Sequence, residues 1–246
     1  MKKTIWFILL LTISFKLDAQ KINTSLTYLV KEPAQITNKT PVLIMLHGYG
    51  SNETDLFELS ESLDSRLIVF SLRAPNTISG GSFAWYLMEF LADQQFKYDY
   101  EKTKFSSQKI LSFISNACKS YGVDSNQVFL LGFSQGAIMS FEIAVSNPKK
   151  IKGVMALSGR ILEETKLAKT NWQAVAQTKF FIAHGTSDNV IKISDAEKAK
   201  RFLKSKKVID LSFHAYPSAH TITAKERDDI KSWLTKAINL KAAGSK

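Results

Sequence analysis

The stretch Val128-Phe129-Leu130-Leu131-Gly132-Phe133-Ser134-Gln135-Gly136-Ala137 decides how this chain is read. Four consecutive apolar residues rich in strand formers end at Gly132, and a helical pattern opens at Ala137 and runs to Val145. Between them lies Gly-x-Ser-x-Gly. In a strand-to-helix setting this pattern makes a tight, strained turn that lifts the serine hydroxyl clear of the backbone. The glycines two before and two after leave room for helix and strand to approach. An ordinary strand-to-helix turn is the plainer reading of the same five residues.

Working outward, strand-length apolar runs alternate with helix-period segments. Strands are expected at Val42-Leu43-Ile44-Met45-Leu46, Arg66 to Leu72, Val128 to Leu131, Lys152 to Leu157, Lys179 to Ala183 and Val208 to Tyr216. Helices are expected over Asn52 to Leu63, Ser106 to Tyr121, Ala137 to Val145, Ala196 to Leu203 and Lys225 to Ile238. Gly122 stops the second of these. Continuous apolar strands between helices imply an α/β fold with a buried, parallel sheet covered on both faces. Sites in such sheets lie beyond the carboxyl ends of the strands.

A serine hydroxyl needs a base, and the base an orienting acid. On this scaffold they follow the serine in the order acid, then histidine. Three histidines follow Ser134. His184 comes directly after a strand, before the best acid. His214 lies inside the last strand between Phe213 and Ala215. His220 lies in the loop Pro217-Ser218-Ala219-His220 before the last helix and is the preferred base. Asp188, in Gly185-Thr186-Ser187-Asp188-Asn189, is the preferred acid. Asp195 is its rival but falls within the following helix. The backbone N–H groups of Gln135 and Tyr49 are the expected oxyanion donors. His47, next to Tyr49, reads as a residue that holds the loop.

The chain has 246 residues, 45% hydrophobic and 22% charged, which suits one globular domain. Four scattered histidines and one cysteine, Cys118, supply neither a zinc site nor an internal disulfide. Cys118 falls on a helical apolar stripe and reads as an inert buried thiol. Net charge is +11. The basic residues are dispersed and no nucleic-acid motif accompanies them, so they read as a solvated surface, or as a bias toward anionic substrates or membrane surfaces. Residues 1–19 have the form of an export signal: Lys2 and Lys3, an apolar run from Ile5 to Phe15, and a cleavage site after Ala19. The run is too short for a membrane span, although an uncleaved anchor is the alternative. A secreted or periplasmic mature domain over residues 20–246 is expected. Losing three Lys and one Asp with the signal brings it to +9.

Five segments together resemble the phospholipase/carboxylesterase group of α/β-hydrolases, which includes acyl-protein thioesterases. They are Leu46-His47-Gly48-Tyr49-Gly50-Ser51-Asn52-Glu53, Leu72-Arg73-Ala74-Pro75, Gly80-Gly81-Ser82-Phe83-Ala84-Trp85-Tyr86, Gly132-Phe133-Ser134-Gln135-Gly136-Ala137 and His184-Gly185-Thr186-Ser187-Asp188. The resemblance covers Pro41 to Leu234. It implies an α/β-hydrolase fold with a minimal lid and a serine carboxylesterase without metal or cofactor. Ser134, Asp188 and His220 fall on its triad positions, and Tyr49 and Gln135 on its oxyanion positions. Two positions depart from the family pattern: Leu87 replaces an Asp after the Trp85-Tyr86 pair, and Ala219 replaces the Gly before the base. Trp85, Tyr86 and Leu87, with Met88 and Phe90, belong to the apolar stretch Phe83 to Leu91, which reads either as core or as an acyl-binding wall. The expected reaction is hydrolysis of short- to medium-chain carboxylic esters, on small molecules or polymers. An acetyl or feruloyl polysaccharide esterase, a lysophospholipase or thioesterase, and a silent binding protein on the same scaffold are the alternatives.

Overall fold

The computed structural model describes residues 22–91 and 96–239. The expected signal at 1–19 lies outside them. In chain order the elements are β1 (Tyr28–Lys31), β2 (Val42–Leu46), β3 (Ile68–Leu72), β4 (Asn76–Ser79), β5 (Ser82–Ala84), β6 (Met88–Phe90) and β7 (Phe96–Tyr98). Then come α1 (Tyr100–Tyr121), β8 (Val128–Phe133), α2 (Gln135–Ser146), β9 (Gly153–Leu157), α3 (Glu163–Leu167), α4 (Trp172–Val175), β10 (Lys179–Gly185), α5 (Ile193–Ser205), β11 (Leu211–Tyr216) and α6 (Ala224–Asn239).

Seven strands form one sheet in the order β1-β3-β2-β8-β9-β10-β11. Every pairing is parallel except β1 with β3. The central strands are apolar at every position because both faces are covered. Alternation divides them: Val42, Ile44 and Leu46 of β2, with Val128 and Leu130 of β8, join one core that α1, α2 and α5 cover. Leu43, Met45, Phe129 and Leu131 join the other, closed by Ile230, Leu234 and Ala237 of α6. This is the α/β-hydrolase arrangement. Two small hairpins, β4-β5 and β6-β7, occupy the connection between β3 and α1.

Expected boundaries shift in several places. Asn52 to Leu63 is not an α-helix but a run of turns ending in a 3-10 helix over Phe57–Ser62. The Asn52 carboxamide accepts from the Thr54 backbone N–H at 2.9 Å and hydroxyl at 2.6 Å, a local bond that competes with helical ones. Leu56, Leu59 and Leu63 are nonetheless buried. Helix α1 starts six residues before Ser106, where Asp99 accepts from the Glu101 N–H. The last strand starts at Leu211, since Lys206, Lys207 and Val208 still cap the end of α5 with their N–H groups.

Candidate active site

Strand β8 ends at Phe133 and α2 begins at Gln135, so Ser134 alone makes the turn. Its φ of 53° and ψ of −115° form a combination that L residues avoid. Packing enforces it. A Cβ on Gly136 would stand 1.9 Å from the Leu46 carbonyl oxygen, and one on Gly132 would stand 2.2 Å from that of Gly136. Only glycine lets α2 sit this close to β2 and β8.

Asp188 and His220 reach the serine from the ends of β10 and β11. The two loops are clamped together: Thr186 N–H donates to the Tyr216 carbonyl at 2.7 Å and Ser187 N–H to that of Ser218 at 3.0 Å. Gly185 gives the room, since a Cβ there would lie 2.3 Å from the Ala219 carbonyl. Ala219 itself is exposed, so its methyl group in place of a hydrogen is easily accommodated.

His220 Nε2 lies 2.9 Å from Ser134 Oγ, and His220 Nδ1 lies 2.7 Å from Asp188 Oδ2. A carboxylate accepts only, so Nδ1 carries the proton and Nε2 is left to accept from the serine. The other Asp188 oxygen accepts from the Val190 and Ile191 N–H groups at 2.8 and 2.9 Å. Asp188 is buried and His220 half-buried. This arrangement can remove the serine proton while holding the imidazole in one tautomer.

Two further histidines brace the frame. His47, fully buried, donates from Nδ1 to the Gly48 carbonyl at 2.7 Å and accepts at Nε2 from Ala74 N–H at 3.0 Å. Burial pushes it below its ordinary pKa and so favours the neutral form. It fixes the strand end from which Gly48 and Tyr49 depart. The loop is further held by Gly50 N–H on the Phe83 carbonyl at 2.9 Å and by the buried Glu53. Arg73 grips Glu53 through Nε at 2.6 Å and through Nη2, which holds that carboxyl below the usual range. A Cβ on Gly48 would lie 3.4 Å from that of Ser134, so this loop runs beside the serine. The Gln135 N–H, in the first turn of α2, has no partner within the helix. His184 is buried and donates from Nε2 to the Ile191 carbonyl at 2.7 Å, beside Asp188. Of the residues weighed against the preferred pair, His214 stacks on Phe181 at 4.6 Å on β11, and Asp195 pairs with Lys198 on α5. Cys118 is buried, with its thiol pushed up to about 11.

The acyl-wall expectation is corrected. Trp85 and Tyr86 have at most 1% of their surface exposed and do not line the cavity beside Ser134. The Gln135 side chain holds both: its Oε1 accepts from Trp85 N–H at 2.9 Å and its Nε2 donates to the Tyr86 carbonyl at 2.7 Å. Trp85 Nε1–H donates to the His47 carbonyl at 2.9 Å. Leu87 is 56% exposed and also lies off the cavity. The cavity, about 170 Å³, takes its apolar wall from Met88, Phe96, Ile138, Val190 and Ile191, with Tyr49, Ser134, Gln135 and His220 at its reactive side. Sequence reasoning reached one member, Met88 of the stretch Phe83 to Leu91, and missed the others, because the wall comes from four separate segments. The one available signal was their position next to the motif residues: Ile138 follows the serine turn and Val190-Ile191 follows Asp188.

Known proteins resemble this chain in sequence and fold. The Phospholipase/Carboxylesterase family profile matches residues 29–238. Acyl-protein thioesterase 1 of Kluyveromyces lactis is 30% identical over 216 residues, which cover 81% of this chain and 92% of that protein. The crystal structure of the Bacillus cereus carboxylesterase superposes with a TM-score of 0.73 at 26% identity, covering 87% of this chain and 96% of that one. A plant structure, Zea mays acyl-protein thioesterase 2, shares the fold with a TM-score of 0.70 at 20% identity, covering 87% and 99%.

Proposed function

This chain belongs to the Phospholipase/Carboxylesterase family and is a carboxylic ester hydrolase, and we propose that it works through an acyl-Ser134 intermediate formed by the triad Ser134, His220 and Asp188. The hydrogen-bonded chain from Asp188 through His220 to Ser134 carries this reading. His220 Nε2 takes the hydroxyl proton as Oγ attacks the carbonyl carbon. The oxyanion that forms is held by the backbone N–H groups of Gln135 and Tyr49. Collapse of the tetrahedral intermediate breaks the bond to the leaving oxygen, which receives the proton from His220. Water repeats the steps on the acyl-enzyme and frees the acid and Ser134. Asp188 stays ionised and steadies the imidazolium.

The cavity is smaller than the roughly 300–1,000 Å³ typical of pockets for drug-sized ligands. It supports short- to medium-chain acyl groups. A thioester presents the same carbonyl to the same groups, and the likeness to acyl-protein thioesterase 1 supports it as a second substrate class. Residues 1–19 are proposed to direct export, so the mature protein recovered outside the cytoplasm should begin at Gln20, as intact mass will show. Ser134→Ala should abolish hydrolysis of p-nitrophenyl butyrate and leave the fold, read by circular dichroism, unchanged. Full activity in that variant would overturn the assignment.

A further inference from the structure

Beyond Phe96, Val190 and Ile191, which also wall the catalytic cavity, opens a larger cleft of about 480 Å³. Six of its other lining side chains are charged, beside the apolar Ile161 and Leu162 and the polar Tyr98 and Ser194. Arg160, Lys166, Lys192 and Lys198 face Glu163 and Asp195. Lys166 pairs with Glu163 at 2.5 Å and Lys198 with Asp195 at 2.8 Å. Arg160 and Lys192 then remain without an acidic partner among the described residues. Arg160 is held in place rather than free in solvent. Its guanidinium lies 5.0 Å from the centre of the Phe96 ring, and its Nε is sealed from solvent with no hydrogen-bond partner among the described residues. The first turn of α5 also borders the cleft, and its backbone adds partial positive charge. Glu164 accepts at 2.9 Å from the hydroxyl of Tyr98, which lines this cleft, and its own side chain borders the neighbouring groove.

We propose that the preferred ester carries an anionic group, a carboxylate or a phosphate, remote from the scissile bond, and that Arg160 and Lys192 bind it in this cleft. The inference rests on the esterase reading of Ser134 and names the substrate class for that site. The apolar cavity takes the reacting end. The substrate then passes the shared wall of Phe96 and Ile191, and its far end meets two cations that have no ion-pair partner among the described residues. Arg160 offers a fork that pairs with two oxygens of one anion. Lys192, exposed at the start of α5, supplies a point charge.

The test compares kcat/KM for three esters: neutral p-nitrophenyl butyrate, mono-p-nitrophenyl glutarate with its carboxylate on the acyl side, and 1-butyryl-glycerol 3-phosphate with its phosphate on the alcohol side. One anionic ester should exceed its neutral counterpart, butyryl-glycerol in the phosphate case, by about fivefold to tenfold at low salt. The arm that responds identifies the side. The ratio should fall toward one in 0.5 M NaCl, and in both Arg160→Gln and the surface variant Lys192→Gln. Lys149→Gln, on an exposed turn away from the cleft, should leave the ratio as it was. Hydrolysis of the neutral esters without preference in either arm would overturn the inference and spare the esterase reading, as would a preference that survives both cleft variants. No hydrolysis of any ester would instead sink the esterase reading on which the inference stands.

Discussion

Ser134 sits at φ 53° because the two flanking glycines let helix and strands close on it, not because serine favours that conformation. The strain is local and its release is measurable. Ser134→Gly should lose esterase activity and gain about 1 kcal/mol in urea denaturation, since glycine adopts positive φ without the Cβ clash. A loss of stability would mean that the turn is not strained. Asp188→Asn should keep the fold and lower kcat by about 10³–10⁴, by presenting an amide where His220 needs an acceptor. At this scale the sequence was most legible where chemistry dictates order: Ser134, Asp188 and His220, picked from their loops, are three side chains that the structure joins by hydrogen bonds. It was least legible at Trp85 and Tyr86. Their apolar character suits a substrate wall and a core equally. Their burial, with the Gln135 carboxamide bonding both backbones across some fifty residues, decides for the core.

At the level of elements, the serine turn depends on how closely α2 approaches β2. Gly136→Ala would push a methyl group into the Leu46 carbonyl, so it should cost at least about 2 kcal/mol and reduce the soluble yield. Helix α6, which follows the His220 loop, carries a titratable strain of its own. Thr223 accepts from Glu226 N–H at 3.1 Å through its hydroxyl, the capping interaction that starts the helix. The Glu226 carboxyl is 1% exposed, its Oε1 lacks a partner, and burial raises it to about 7. The folded state therefore holds a proton that the unfolded state releases near 4.5. The stability from that proton is present below 4.5 and is lost as pH rises through 7. Glu226→Gln should stabilise the protein by about 1–3 kcal/mol at pH 8 and by much less at pH 5. Equal gains at both pH values would contradict this. The strands were legible because a doubly covered sheet demands apolar runs. The 3-10 segment after Asn52 and the first turns of α1 were not, since a side-chain bond at Asn52 and a cap at Asp99 set those boundaries rather than periodicity.

The whole molecule places a small apolar cavity at the carboxyl ends of β8, β10 and β11, where a parallel sheet leaves its loops free to converge. Its size predicts acyl selectivity: across p-nitrophenyl esters from acetate to palmitate, kcat/KM should peak below about eight carbons. Ile138→Ala, which removes part of one wall, should move the peak to longer chains. The architecture was legible as a whole because strand and helix alternate from β2 to α6. The cavity wall was not, because residues distant in sequence meet there only after folding. The central claim is that Ser134 alone is acylated, and fluorophosphonate labelling followed by peptide mass spectrometry tests it most directly. A single adduct on the peptide containing Gly132-Phe133-Ser134-Gln135-Gly136, absent from Ser134→Ala, is the expected result; an adduct on another residue, or undiminished labelling of Ser134→Ala, would contradict it.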